Sequence, residues 1–403
     1  MTNATDQLLA SILLSDHGAD GPYDSYQQLR DSAPVLVSSA GTVVLTNWID
    51  CDSALRNKAL GKVDESLGFR LNAVPEDLQR RAMARFRRTM LFRNPPEHSR
   101  LRRLVSEAFT QRHVADLEQR TARTIDDFLD QIDEVGRADI ISDLALPLPV
   151  AVIGDLLGVP AHERSVAAPL VRKLMAPLEP SADAGAIAEA AIAEDELADY
   201  FRQLLAKRRS KPENDLLSRL VAARDDEALD EDECIGTAML IFAAGFETTT
   251  NLIGNGLAAL LSHRSELDRL RNDPGLIEQA IDEMLRYDAP IQTDGRTALR
   301  HTEVGGVAVD PGTVVLMLLG AANRDPNHYD QPDKFDIGRT GPQSLAFGAG
   351  IHYCLGAPLA RLEARLLFPR ILERFPGIHV AETPVWRPGL TFRGLESLVV
   401  STT

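Results

Sequence analysis

"FGAGIHYCLG", residues 347–356, sets Cys354 among three glycines, with Phe347 at the front and His352 two positions before the sulfur. Glycines this close together imply backbone shapes or close approaches that a side chain would block. The chain has three cysteines, Cys51, Cys234 and Cys354, all far apart in sequence. A cysteine so isolated and so framed is an inert core residue, a redox thiol or a metal ligand, and the fold and the function turn on which.

A lone thiolate without partner cysteines or paired histidines cannot complete a tetrahedral zinc site. It can be the one protein ligand of an iron already held by a porphyrin. That role accounts for the frame, because the thiolate must stay deprotonated and needs backbone N–H donors and a helix start nearby. Gly348 and Gly350 permit a tight turn that presents such donors. Gly356 lets the helix of "APLARLEARLLF" begin close to the macrocycle, with Pro358 suited to its first turn. Phe347 then screens the sulfur from water, and His352 reaches a propionate. The plain alternative is a buried, inert cysteine.

Composition narrows the classes. The 403 residues are 44% apolar and 25% charged, as in a globular protein with a sizeable core. A net charge of -16 argues against nucleic-acid binding, which needs clustered Lys and Arg. Arginines do crowd residues 80–112, either as a solvated helical face or as a docking patch for an acidic protein. Three scattered cysteines without a CxxC are no disulfide framework and fit a reducing compartment. The N-terminus lacks a signal-peptide pattern. The most apolar runs, "AMLIFAAGF" and "VVLMLLGAA", are about half the length a bilayer requires. The expectation is a cytoplasmic protein with no membrane and no nucleic-acid partner.

Along the chain, "PVLV" and "TVVLT" predict an early hairpin. Apolar spacing of three and four predicts helices in "SRLRRLVSEAF", "VADLEQRTARTIDDFLDQI", residues 186–208 and residues 274–286. Residues 229–264 carry acidic residues at the start and an apolar middle, the pattern of a helix through a large core. Gly245, Gly254 and Gly256 within it are costly unless something packs against the backbone. From residue 301 short strands and turns take over, and "LTFRGLESLVVS" predicts a closing hairpin-like piece. No repeat or linker marks a boundary, so residues 1–403 are expected to form a single, mainly α domain with small β-sheets.

"FGAGIHYCLGAPLAR" resembles the cysteine-ligand loop of the cytochrome P-450 superfamily, and that motif is highly specific. The family carries Glu-x-x-Arg on a helix, matched by Glu283 and Arg286 in "EMLR"; Lys334 or Arg339 supplies the third basic residue of that anchor. Its central-helix signature is matched by Ala244, Gly245, Glu247 and Thr248 in "AAGFETT". The resemblance implies that Gly245 permits close approach to the haem and a local opening of the helix. Thr248 then offers a hydroxyl to bound dioxygen or to a water beside it, and Glu247 feeds protons from solvent. Thr248 bonding back to the carbonyl of Ala244 is the other reading. His98 and Arg102 in "PPEHSRLR", and Arg296 in "TDGRTALR", match propionate partners. The matching segments keep the family's order and cover essentially the whole chain. Departures are Phe246 where a polar residue is common, Ser344 where many relatives have His, and Asn94 for a common Asp.

The resemblance implies haem b (iron-protoporphyrin IX) between the central helix and the cysteine-loop helix, with Cys354 as metal ligand. It implies a monooxygenase that takes electrons from ferredoxin and ferredoxin reductase and hydroxylates or epoxidises a small lipophilic substrate with O2, a polyketide or macrolide favoured. Without a fused reductase or a GxGxxG unit, the chain borrows its electrons. Arg102, Arg103, Arg112 and Arg361 are candidates to meet an acidic partner. The pocket roof is expected from residues 61–88 and 161–208, where Pro169, Pro177 and Pro180 suggest a mobile entrance. Phe246, Ile291, Gln292, Thr293 and Phe392 are candidate substrate contacts. A haem protein without turnover, a sensor or recruitment platform, is the alternative; the Glu247–Thr248 pair argues against it.

Overall fold

Helix-period spacing in the middle of the chain is matched by the backbone in the computed structural model, which describes residues 4–63, 74–225 and 228–402. The helices used below are α1 (Glu97–Ser106), α2 (Gln111–Val135), α3 (Pro147–Leu157), α4 (Arg164–Met175) and α5 (Ala184–Ser210). They continue as α6 (Glu231–Ser262), α7 (Ile277–Tyr287), the short α8 (Leu319–Ala322) and α9 (Ala357–Arg374). The strands are β1 (Val35–Val37), β2 (Val43–Leu45), β3 (Leu60–Gly61), β4 (Arg137–Asp139), β5 (Thr293–Ala298) and β6 (Thr302–Val304). They end with β7 (Val307–Val309), β8 (Val314–Leu318), β9 (His379–Val380), β10 (Val385–Trp386), β11 (Leu395–Ser397) and β12 (Val399–Ser401). The fold is mainly helical with small sheets. No helix among the described residues is long and apolar enough to cross a membrane.

Local chemistry sets several ends. Asp183 accepts the Ala186 N–H at 2.8 Å and caps α5, whose last turn holds Lys207, Arg208 and Arg209 against the negative end of the dipole. Before α6, the Asp230 carboxylate accepts the Glu233 N–H at 2.8 Å, and Glu233 accepts the Asp230 N–H at 3.2 Å, a reciprocal cap. Pro169 does not break its region: α4 runs through it. Ala167, Ala168, Val171, Leu174 and Met175 are buried along α4, and that packing outweighs the one lost backbone bond. Pro177 sits in a short 3-10 turn between α4 and α5, which pack on each other. The prolines expected to mark a mobile entrance thus interrupt the helices over only a few residues.

The chain divides into two compact units. One comprises Met1–Leu60, Glu118–Leu148 and Thr248–Thr403; the other comprises Gly61–Leu117 and Pro149–Glu247. The boundary falls inside α6. In the first unit β1 and β2 form the expected hairpin, Val35 opposite Leu45, and belong to a five-stranded sheet of order β1-β2-β8-β5-β3. β6 and β7 form a second hairpin through Gly305 and Gly306, whose φ of +56° and +78° suit the tight turn that matches strand twist.

The expected closing hairpin is absent. Only Leu398 separates β11 from β12, too little chain for a reversal. β11 instead pairs with β10, while β12 joins β4 and β9 in another sheet.

The glycines of α6 repay their cost in close packing. A Cβ on Gly254 would sit 2.7 Å from Ile141 Cδ1, and one on Gly256 would sit 2.7 Å from the Met284 sulfur. In the second unit the edge-on ring pairs Tyr200–Phe201, Phe201–Phe242 and Phe242–Phe246 tie α5 to α6.

Candidate functional site

Cys354 differs from the other two cysteines by its surroundings. Cys51 and Cys234 are buried, and burial pushes both thiols up, Cys234 to about 12, so both stay protonated. Cys354 is exposed. Two 3-10 turns, Leu345–Phe347 and Gly350–His352, shape its loop, and the Cys354 N–H donates to the Phe347 carbonyl at 2.9 Å. Gly348 and Gly350 have φ of +67° and +68°, where other residues are strained. At Gly350 a Cβ would also lie 2.5 Å from the Leu55 carbonyl oxygen. Gly356 has an ordinary φ of -81°; a Cβ there would face the Cys354 sulfur at 4.0 Å, so its absence keeps the flank of the thiol open. α9 follows at once, with Pro358 in its first turn. The Phe347 ring is half-buried between Tyr353 and the Arg361 guanidinium, while His352 is half-buried beside it.

Behind the loop lies a buried charge cluster. Arg286 donates from Nε and Nη2 to the two oxygens of Glu283 at 2.7 and 2.8 Å, an i,i+3 pair on α7. Both side chains are at most 3% exposed. Arg339 completes the cluster, donating from Nε to Glu283 Oε2 at 3.0 Å. Lys334 takes part only through its carbonyl, which accepts from Arg286 at 3.2 Å and from Arg339 at 3.0 Å; its ammonium points to Asp336 at 3.9 Å. The sequence leaves Lys334 and Arg339 undecided, and the geometry assigns Arg339. The remaining Arg286 donor, Nη1, reaches the carbonyls of Asn323 at 3.0 Å and Pro332 at 2.7 Å.

The central helix α6 is buried over residues 234–258 except at Ala244, Gly245 and Thr248, where Ala244 is exposed and the other two are half-buried. Ala244 and Thr248 are four apart and share a face, so an otherwise enclosed helix shows one small-residue opening at the signature. The helix itself stays α-helical throughout, without the expected local opening. The space left by the missing Cβ of Gly245 is filled by Ile153 of α3, whose Cδ1 would lie 2.6 Å from a Cβ. Packing against α3 is thus the visible reason for this glycine. Glu247 is 3% exposed, with the Arg172 Nε of α4 at 3.9 Å.

His98 is buried and Arg102 half-buried, one turn apart on α1. Arg296 on β5 is 2% exposed; its Nη1 donates to Asp294 at 2.7 Å and to the Gly295 carbonyl at 2.9 Å. Its Nη2 is buried with no hydrogen-bond partner among the described residues. A buried charged donor left unmatched is expensive, so this nitrogen is placed for an acceptor.

Among the candidate substrate contacts, Ile291 and Phe392 are half-buried and paired through a backbone bridge, and Thr293 Oγ1 lies 3.3 Å from Thr391 Oγ1. Phe246 and Gln292 are fully buried, Phe246 edge-on to Phe242 and Gln292 donating to the Ala289 carbonyl at 2.8 Å. Of the expected roof, residues 64–73 lie outside the described residues. Asn94, the departure from Asp, accepts the Lys62 N–H at 2.9 Å and donates to the Lys62 carbonyl at 2.6 Å, a two-way clamp that a carboxylate could not make.

Within residues 80–88, several arginines are held in ion pairs. Arg81 pairs with Asp195 at 3.0 Å, Arg85 with Asp232 at 3.1 Å, and Arg88 with Asp230 and Asp232.

Residues 161–386 match the family model described as Cytochrome P450. Cytochrome P450 107B1 of Saccharopolyspora erythraea is 42% identical over 319 residues, 77% of this chain and 76% of that one. The polyketide biosynthesis cytochrome P450 PksS of Bacillus subtilis is 38% identical over 317 residues, 77% of each chain. The solved structure of P450BioI in complex with hexadec-9Z-enoic acid ligated acyl carrier protein matches with a TM-score of 0.88 at 34% identity, covering 95% of this chain and 98% of that one.

Proposed function

The chain belongs to the cytochrome P450 family, haem b monooxygenases, and from that premise we propose that it hydroxylates or epoxidises a mid-sized lipophilic natural product, a polyketide or macrolide, with electrons from a ferredoxin and its reductase. The observation that carries the reading is Cys354. It alone of the three cysteines is exposed, in a loop whose glycines hold positive φ.

The residues fit haem b. Cys354 would ligate its iron, and the unmatched Nη2 of Arg296 is placed for a propionate, with His98, Arg102 and His352 as further partners. Gly348 and Gly356 keep the flank of the loop free of side chains, and Phe347 would screen the thiolate from water once the ring is bound. When bound, the haem supplies the iron centre at which O2 accepts two electrons and two protons, one oxygen atom leaving as water and the other entering the substrate.

The protein's part is proton handling and positioning. The Thr248 hydroxyl, half-buried on α6, would hold a proton at its Oγ1 for delivery to the reacting oxygen. The Glu247 carboxylate, buried beside Arg172, takes up the replacement proton. Ile291, Thr293 and Phe392 offer an apolar wall with one hydroxyl, which suits a lipophilic substrate held by few hydrogen bonds. PksS, by its name, acts in polyketide biosynthesis, which supports the substrate class.

For electron transfer, Arg103 and Arg112 are exposed and carry no ion pair among the described residues, so they are the cations available to an acidic ferredoxin. Arg361 is already paired with Asp282 at 2.5 Å. The reading places the enzyme in the cytoplasm with its reductase.

The test is the carbon monoxide difference spectrum of the reduced protein. A strongly red-shifted Soret band that Cys354→Ser abolishes is expected, and a band at the neutral-ligand position in the wild type overturns the assignment. Turnover of a polyketide panel with ferredoxin, ferredoxin reductase and NADPH then addresses the substrate. In Thr248→Ala, reductant consumption is expected to continue while product falls about a hundredfold or more, the usual worth of a positioned proton donor.

A further inference from the structure

We propose that Asn323 is a positioning residue for the cysteine loop, coupling the buried Glu283–Arg286–Arg339 cluster to the first turn of that loop; the inference rests on Cys354 being the haem thiolate. Asn323 follows α8 and is fully buried. Its main-chain carbonyl accepts Arg286 Nη1 at 3.0 Å, and its side-chain Oδ1 accepts the Leu345 N–H at 2.7 Å. One residue is thus held by the charge cluster through its backbone and holds the loop through its side chain.

Leu345 opens the 3-10 turn Leu345–Phe347, so its N–H is a helix-start donor with no partner inside the turn. Ser344, in the capping position, makes no side-chain cap bond, although serine ordinarily does so there. Asn323 supplies that cap from 22 residues away in sequence. From Leu345 the bonds continue inward: its carbonyl accepts the Gly348 N–H at 2.9 Å, and the Phe347 carbonyl accepts the Cys354 N–H at 2.9 Å. A second tie to this stretch, Tyr329 Oη to the Gln343 carbonyl, is longer at 3.3 Å. Release of the Leu345 N–H lets the turn unwind. The backbone on either side of Cys354, tied to that turn through the Phe347 carbonyl, then loses its register, and the sulfur is held less firmly in place.

The test uses the haem-loaded protein and follows conversion of the reduced carbon monoxide complex from the thiolate-type to the neutral-ligand Soret position. Asn323→Ala is expected to convert about tenfold faster, which at 1.4 kcal/mol per tenfold is the worth of one buried hydrogen bond. Haem release is expected to stay within about twofold of wild type. Asn323→Asp, which keeps an acceptor at Oδ1, is expected within about threefold of the wild-type conversion rate.

Conversion at the wild-type rate in Asn323→Ala, an Asn323→Asp variant as fast as Asn323→Ala, or haem loss that rises in step with conversion would each overturn the proposal. Should Asn323→Ala not fold, amide exchange in the wild type decides. A Leu345 N–H as slow as its core neighbours supports the bond, and rapid exchange refutes it. Absence of any thiolate-type band in the wild type would sink the Cys354 assignment instead, so the two failures are distinguishable.

Discussion

Replacing Glu283 by Gln removes one charge from a cluster built to neutralise two arginines. The Glu283 carboxylate receives Arg286 Nε at 2.7 Å, Arg286 Nη2 at 2.8 Å, the Asp336 N–H at 2.9 Å and Arg339 Nε at 3.0 Å, all with the carboxylate 1% exposed. Gln keeps the shape but leaves the Arg286 guanidinium buried without a countercharge, which costs about 3–5 kcal/mol. At about 2.1 cal/mol/K of unfolding entropy per residue, 403 residues carry about 0.85 kcal/mol/K, so a loss of about 4 kcal/mol lowers the midpoint by about 5 °C. Arg339→Ala leaves the Glu283–Arg286 pair intact and removes an arginine 16% exposed; about 2 kcal/mol, or about 2 °C, is expected. Lys334→Ala removes an ammonium 58% exposed and 3.9 Å from Asp336, so under about 0.5 kcal/mol and under about 1 °C are expected. Thermal unfolding of the haem-loaded protein, with haem absorbance as a second probe, should rank Glu283→Gln as the most damaging change, Arg339→Ala next and Lys334→Ala last. A Lys334→Ala shift as large as that of Arg339→Ala would refute the assignment of the third basic residue.

Glu194 on α5 is buried, accepts the Arg85 N–H at 2.8 Å, and is pushed up to about 7, chiefly by burial. A carboxyl raised above its unfolded value binds more protons folded than unfolded, so its contribution is full below about 4.5 and is lost as pH rises through about 7. Glu194→Gln, which keeps an acceptor for Arg85, is expected to flatten the fall in denaturant midpoint across that window; an unchanged slope would show that other groups set it. Gly245→Ala would force a Cβ into Ile153 of α3, at an expected cost of about 1–3 kcal/mol. Adding Ile153→Ala should make the double variant lose less than the sum of the two single changes, and strict additivity in the urea midpoint would place the cause of the glycine elsewhere.

The parts of this fold legible in the sequence are those whose chemistry is local. Gly348 and Gly350 announce left-handed backbone, and the backbone adopts it there. The double glycine 305–306 is a turn whatever surrounds it, and the acidic start of α6 complements that helix by itself. What stays hidden has its cause in a distant partner. Gly245 reads as a ligand contact because Ile153, 92 positions earlier, leaves no trace near it. Phe246 packs edge-on against Phe242, a contact one turn away that the sequence does not announce. Gln292, polar and beside the candidate wall, is committed instead to the Ala289 carbonyl. Arg339 and Lys334 both lie within reach of Glu283 in sequence, and only the turn of the chain decides which cation turns inward.

Charge shows the same division most sharply. A run of arginines over residues 80–88 suggests a positive surface, since clustering is all a sequence displays. Yet Arg81 and Arg85 meet Asp195 and Asp232, 114 and 147 positions on, and Arg88 meets Asp230 and Asp232. These pairs are partly exposed, so each adds little stability. Their larger effect is on the field, because a cation with its countercharge about 3 Å away presents a dipole that falls off faster than a charge. Three of the five arginines in these nine residues are thus neutralised locally, which weakens the positive field that the run suggests. Arg103 and Arg112, less conspicuous in sequence, carry no ion pair among the described residues and keep their long-range field. Reversing these two charges should slow reduction by ferredoxin several-fold at low salt, and the difference should shrink as salt rises; reversing Arg81 and Arg88 should leave that rate unchanged. The opposite pattern would return the docking surface to the arginine run.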